Sequence, residues 1–304
     1  MNVWNEIKKS FRSGSILIKL IYINVGIWGA IWVLYMILML LSGGQLEVFK
    51  PIEYLTLPAY LPYLVLRPWT PITYMFSHLD FLHILFNLLW LYWFGRVFLQ
   101  FLSEKQLLSM YLLGGFAGAV LYIVAFNLLP AFRPSTENPQ FMLGASASVT
   151  AIIFAIAFYM PKYKMNLVFI GPVQIIWIAL IAFFITTITD FQSNTGGKIA
   201  HIGGAVYGYL FAVQLRKGND LTAGFSRLLE RFFAMFGRKK KMSVSYKSNE
   251  KKRKTTRAET DLDYNARKVA EQAEIDAILD KIAKSGYDSL TKKEKETLFK
   301  SSNN

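Results

Sequence analysis

Six apolar blocks constrain this chain more than any other feature. They cover about 18–42, 81–101, 106–129, 145–160, 172–190 and 199–215. A helix that crosses hydrocarbon needs roughly 20 apolar residues. Inside hydrocarbon each backbone N–H and C=O must be bonded within the protein, so such blocks fold as helices. The fourth and sixth blocks are short, which fits segments enclosed by a bundle better than segments facing lipid. At 53% apolar and 15% aromatic residues, the chain is too apolar for one ordinary soluble domain. The expected fold class is an all-α membrane protein, a six-helix bundle with a small helical tail. The first block is too long for a removable signal peptide, and no small-residue cleavage site stands out after it.

Basic residues in short flanks set the orientation. Lys8, Lys9, Arg12, Lys19, Arg96, Lys105, Lys162, Lys164, Arg216 and Lys217 fall on one side. Lys50, Arg67, Arg133 and Lys198 fall on the other. Ten against four places both termini in the cytoplasm. The net charge of +14 is concentrated in the tail, where 22 of the 34 Lys and Arg follow Leu215. A positive-inside bias and attraction to anionic lipid explain that charge, so nucleic acid is not an expected partner. There are no cysteines, which excludes thiol catalysis, disulfides and Cys-ligated metal.

The chain divides into a membrane core over 1–217, an amphipathic juxtamembrane helix over 218–237, a basic flexible linker over 238–261 and a helical hairpin over 262–304. The connection 43–80 holds five prolines with Trp69 and several tyrosines, and suggests a loop half sunk in the interface. Asn194-Thr-Gly-Gly197 reads as a flexible turn before the sixth span. Leu221, Phe225, Leu228, Leu229, Phe232 and Phe236 fall at helical spacing, for a helix on the inner leaflet or packed on the bundle. Ile275, Ile278, Leu279 and Ile282 mark one face of the first tail helix, which Ser285-Gly286 can end. Thr291-Lys-Lys-Glu294 has the form of a capping box opening the second.

The three histidines, His78, His83 and His201, lie in or at the edge of spans. Ionisable groups there are costly and are functional candidates by default. Gly144-Ala-Ser146-Ala opens the fourth span, so the free N–H groups of its first turn can face a developing oxyanion. Packing through small residues is the plainer reading of the same run. His201 heads the sixth span, and Gly204 and Gly208 below it allow close approach of another helix. A serine and a histidine at like depth on touching helices can form a general-base-activated nucleophile. His83 and Asn87, four apart, share one face of span two and can donate into the bundle. They serve equally as an interhelical polar contact. A zinc triad of the three histidines lacks a His-Glu-x-x-His run and has only Asp80 beside it.

His78-x4-His83-x3-Asn87, Gly144-Ala-Ser146 and Ala200-His201-x2-Gly204-x3-Gly208, in this order, resemble the rhomboid family of intramembrane serine proteases. The resemblance covers about residues 15–215. It implies a Ser146–His201 dyad with no third carboxylate, and no cofactor or metal. It implies an oxyanion hole from His83, Asn87 and the Ser146 backbone N–H, with His78, Gly144, Gly204 and Gly208 supporting the site. The implied substrates are transmembrane segments of other membrane proteins, cut where the helix unwinds. The expected place is a bacterial inner membrane, and the C-terminal hairpin is similar to an extension of some bacterial members. The chain departs from many relatives at Ala147, where they have glycine, and at Thr150, where they have an aromatic residue. Trp69 is followed by Thr70 instead of arginine. A non-proteolytic relative that binds transmembrane clients is the alternative, and a transporter would need a polar pathway that the spans lack.

Overall fold

The computed structural model describes residues 3–44, 52–168, 170–189, 194–236 and 261–301. An amphipathic helix, α1 (Val3–Ser13), precedes the first long helix, α2 (Ile16–Leu41). The outer connection follows, with strand β1 (Leu57–Pro58), short helices α3 (Leu61–Leu66) and α4 (Thr70–Thr73), and a 3-10 turn over Tyr74–Phe76. Then come α5 (Phe81–Phe101), α6 (Glu104–Leu128), strand β2 (Phe141–Met142) and α7 (Ser146–Tyr159). Strands β3 (Lys164–Leu167) and β4 (Gly171–Gln174) lead into α8 (Ile175–Phe183), which continues as a π-helical turn over Phe184–Ile188. Helix α9 (Thr195–Arg216) and the amphipathic α10 (Ala223–Phe236) complete this part.

Helices α2, α5 and α6 are each long and apolar enough to cross a membrane, and α7 and α8 are shorter apolar helices. At 14 residues, α7 rises about 21 Å against roughly 30 Å of hydrocarbon. Its neighbours make up the difference: ten of its residues between Ala147 and Ala157 are buried. It is the central helix, and small residues decide what touches it. A Cβ on Gly118 of α6 would stand 2.6 Å from the Ala147 Cβ. A Cβ on Gly204 of α9 would collide with the Ala147 carbonyl, and one on Gly208 with the Ala151 carbonyl. Without a hydrophobic force between helices in lipid, such backbone approach is how they gain packing.

Buried polar groups pin the outer connection to this core. Tyr74 Oη donates to the Gly115 carbonyl at 2.6 Å, and Tyr111 Oη donates to the Met75 carbonyl at 2.8 Å. Asn24 of α2, fully buried, donates to Tyr111 Oη at 3.0 Å. β1 pairs antiparallel with β2, Leu57 opposite Met142, which draws the connection toward the start of α7. Apolar side chains of the connection stay exposed, Val65 at 77% and Leu66 at 71%.

The turn expected before the sixth span needs correction. The Asn194-Thr-Gly-Gly197 run is the start of α9 itself: Asn194, in the left-handed region at φ 52°, caps the helix by accepting from the Gly197 N–H at 3.2 Å. The link between spans four and five, to which the sequence reading assigned no structure, is an antiparallel hairpin with Lys164 opposite Gln174. Of the two readings left open for the juxtamembrane helix, α10 makes the contacts of the second, packing on the bundle. Ser226 and Ser109 share a hydrogen bond at 2.8 Å, Glu230 pairs with Lys105, and Gln106 donates to Asp220 at 2.9 Å.

The contacts divide the chain into two compact units, Met1–Lys239 and Lys240–Asn304. The second contains α11 (Asp261–Ser285), which ends at Gly286 with φ 77°, and α12 (Lys292–Ser301). Thr291 and Glu294 form the capping box: Thr291 N donates to Glu294 Oε2 at 2.6 Å, and Glu294 N to Thr291 Oγ1 at 3.4 Å. Ile278 is buried here, but Leu279 is 49% exposed and lies off the inner face assigned to it. The basic stretch 238–261 lies, but for Asp261, outside the described residues.

Candidate active site

The site is assembled where α5, α7 and α9 meet below the outer connection. Ser146 is the first residue of α7. Its neighbour Ala145 is the N-cap, and no side chain caps the helix. The first-turn N–H groups, orphans in any helix, therefore keep their donors for something else. His201 stands six residues into α9, about 9 Å below its start, and does not head the span as the sequence suggested. Ser146 and His201 line one cavity of about 70 Å³ together with Asn87, Trp90, Thr150 and Thr186. Among the described residues, no hydrogen bond joins Ser146 to His201 directly.

His83 lies over the chain just before Ser146. A Cβ on Gly144 would stand 2.7 Å from its Cε1 and 2.8 Å from its Nε2, and Gly144 has φ 117°, open mainly to glycine. The Gly144 N–H donates to the Tyr74 carbonyl at 2.9 Å, which fixes this strand end against the outer connection. His78 is fully buried behind it, its ring edge-on to that of His83 at 5.2 Å. Its Nε2 accepts from the Ala145 N–H at 3.3 Å, which places its proton on Nδ1. Asn87 Nδ2 approaches the same Nε2 at 3.4 Å and donates to the His83 carbonyl at 2.9 Å. One amide hydrogen of Asn87 is thus engaged by the His83 carbonyl, while the other shares, at longer range, the single Nε2 lone pair that the Ala145 N–H already faces.

The structure brings together all the residues singled out in the sequence. Ser146, His201 and Asn87 share the cavity, His83 and Gly144 adjoin it, and His78 braces the loop. Gly204 and Gly208 act one layer out, by letting α9 close on α7. Sequence reading missed Thr187. Its Oγ1 lies 3.2 Å from His201 Nδ1, and the residue is fully buried at the end of α8. A threonine in an apolar run carries no signal that would have found it. Among the described residues no aromatic ring stacks on His201; Thr150 lines the cavity beside it.

Comparison with known proteins bears on the family of the chain. Residues 66–218 match the rhomboid domain family, and residues 258–304 match a family of unknown function, DUF6576. The chain is 34% identical over 161 residues to the Arabidopsis thaliana RHOMBOID-like protein 12, mitochondrial. That match covers 50% of this chain and 48% of the relative, so the chain spans about half the length of the curated relative it matches. The relative's mitochondrial name gives no support to a bacterial inner membrane. With a matched domain that carries the histidine–asparagine face, the serine turn and the glycine-lined last span, this multi-pass, all-α membrane protein belongs to the rhomboid family.

Proposed function

We propose that the chain is an intramembrane serine endopeptidase that cuts transmembrane segments of other membrane proteins. The observation that carries this reading is the shared cavity of Ser146 and His201 at the uncapped start of α7. Ser146 Oγ attacks the scissile carbonyl carbon while its proton passes to His201 Nε2. The oxyanion that forms meets the Ser146 N–H, His83 and Asn87. Asn87 frees its hydrogen by giving up the long bond to His78. The C–N bond then breaks and the proton leaves with the amine. Water, activated by the same histidine, releases the acyl group from the serine. Donors set in place beforehand contribute most where charge develops, in a site shielded from water.

A transmembrane substrate must unwind locally, because a helical peptide bond is shielded by its own hydrogen bonds. The termini lie on the basic-rich side of the membrane, and α10 with the basic stretch after it engages anionic lipid headgroups. A fluorophosphonate probe on the purified protein in liposomes tests the assignment. Wild type should label, and Ser146→Ala and His201→Ala should not. No labelling of folded wild type would move the weight to a client-binding protein without proteolysis.

A further inference from the structure

We infer that Thr187 is the positioning residue for His201, holding its Nδ1 so that Nε2 is free to act as the base; this rests on the proteolytic reading above. The observation is local and geometric. Span five closes in a π-helical turn over Phe184–Ile188, a rare wide turn that recurs at functional sites. Around it Phe184, Ile185 and Ile188 are 57%, 58% and 48% exposed, yet Thr187 is fully buried. The turn therefore aims one hydroxyl inward from an otherwise lipid-facing end, and the group it meets is His201 Nδ1 at 3.2 Å.

Helix α9 grips this turn twice. Lys198 Nζ donates to the Thr189 carbonyl at 2.6 Å, three residues before His201 on the same helix. Residues three apart share a helix face, so the two contacts fix both the turn and the imidazole. Thr186 sends its hydroxyl to the Ala182 carbonyl at 2.9 Å, and Thr189 sends its own to the Ile185 carbonyl. Thr187 does neither and keeps its oxygen for the ring.

The chemistry needs that oxygen. An imidazole accepts a proton at Nε2 only if its resting proton sits on Nδ1, and the partner of Nδ1 selects the tautomer. A carboxylate usually does this in serine hydrolases. Among the described residues no carboxylate reaches His201, and no ring stacks on it. A hydroxyl oxygen accepting from Nδ1–H holds the same tautomer with a neutral acceptor, and the bond strengthens when the ring takes the serine proton and becomes cationic.

Fluorophosphonate inactivation of the full chain in liposomes tests this without a natural substrate. In that reaction Ser146 Oγ bonds to phosphorus, fluoride leaves, and the serine proton goes to His201. Thr187→Val keeps the branched shape and removes the hydroxyl. It should lower the maximal inactivation rate about 10- to 100-fold, the size of a lost bond to a charged group, with half-saturation unchanged. Thr187→Ser should restore most of the rate. Nitrogen-15 NMR of the imidazoles gives a readout that needs no activity: the Nδ1–H tautomer of His201 should dominate in wild type and fall in Thr187→Val. A wild-type inactivation rate in Thr187→Val, a serine variant as slow as valine, or an unchanged tautomer would overturn the inference. If wild type fails to react at all, the proteolytic reading falls, and the NMR comparison alone still decides whether Thr187 sets the ring.

Discussion

A Cβ atom on residue 144 would stand 2.7 Å from Cε1 and 2.8 Å from Nε2 of His83, so Gly144 is the floor on which that imidazole rests. Gly144→Ala meets two penalties. Its backbone, at φ 117°, costs an alanine roughly 1–3 kcal/mol, and the new methyl pushes His83 off the path of the oxyanion. Probe labelling of Ser146 should fall about 10- to 100-fold, the cost of misplacing a group by about an ångström. Labelling at the wild-type rate in folded protein would show that His83 need not lie there.

The contact of α9 on α7 is set by Gly204 and Gly208 against the Ala147 and Ala151 carbonyls. Gly204→Ala forces the helices apart and should destabilise the protein by about 1–3 kcal/mol, as overpacking does. Gly26→Ala is the matched control, because a Cβ there meets nothing within 4 Å. Denaturant unfolding in micelles should separate the two variants. Equal midpoints would mean that α9 is free to shift without loss.

Much of this fold was legible because an apolar run in hydrocarbon has few ways to satisfy its backbone. The spans therefore fall within a few residues of their expected ends. The polar site residues stood out for the same reason, since His83, Asn87 and His201 are expensive where they lie. What stayed hidden had no such cost. Thr187 reads as one neutral residue among several threonines, and a π turn has no spacing of its own in sequence. Gly196 and Gly197 gave a turn signal, yet they open a helix. A Cβ on Gly196 would stand 2.8 Å from the Tyr122 ring, so it is close approach that keeps glycine there. The two-residue pairing of β1 with β2 is too short to carry an alternating pattern.

Tyr111 joins three segments that are far apart in sequence: it donates to the Met75 carbonyl and accepts from Asn24. Tyr111→Phe leaves both partners buried without it. The expected loss is about 1–2 kcal/mol, above the average of roughly 0.6 for a single bond between membrane helices. Asn24→Leu alone should cost less, and the double variant should lose less than the two together. Strict additivity in a double-mutant cycle would show that the pair does not act as one network.

The C-terminal hairpin carries the clearest pH dependence outside the membrane. Lys281 Nζ donates to both Glu294 carboxylate oxygens, at 2.9 and 3.1 Å, and the Thr291 N–H and hydroxyl donate to Oε2. The Lys281 bond first, then those from Thr291, hold the Glu294 carboxyl down to about 2 from its ordinary 4.5. The folded hairpin thus keeps its charge where the unfolded chain would take up a proton. Its stabilisation is complete above about pH 4.5 and fades as pH falls toward about 2. Hydrogen exchange of the 275–298 amides in the full chain, corrected for intrinsic rates, should show protection dropping through that window. In Glu294→Gln the protection should be lower at neutral pH and flat across the window. A wild-type hairpin equally protected at pH 6 and pH 2.5 would mean that the capping box adds nothing to its fold.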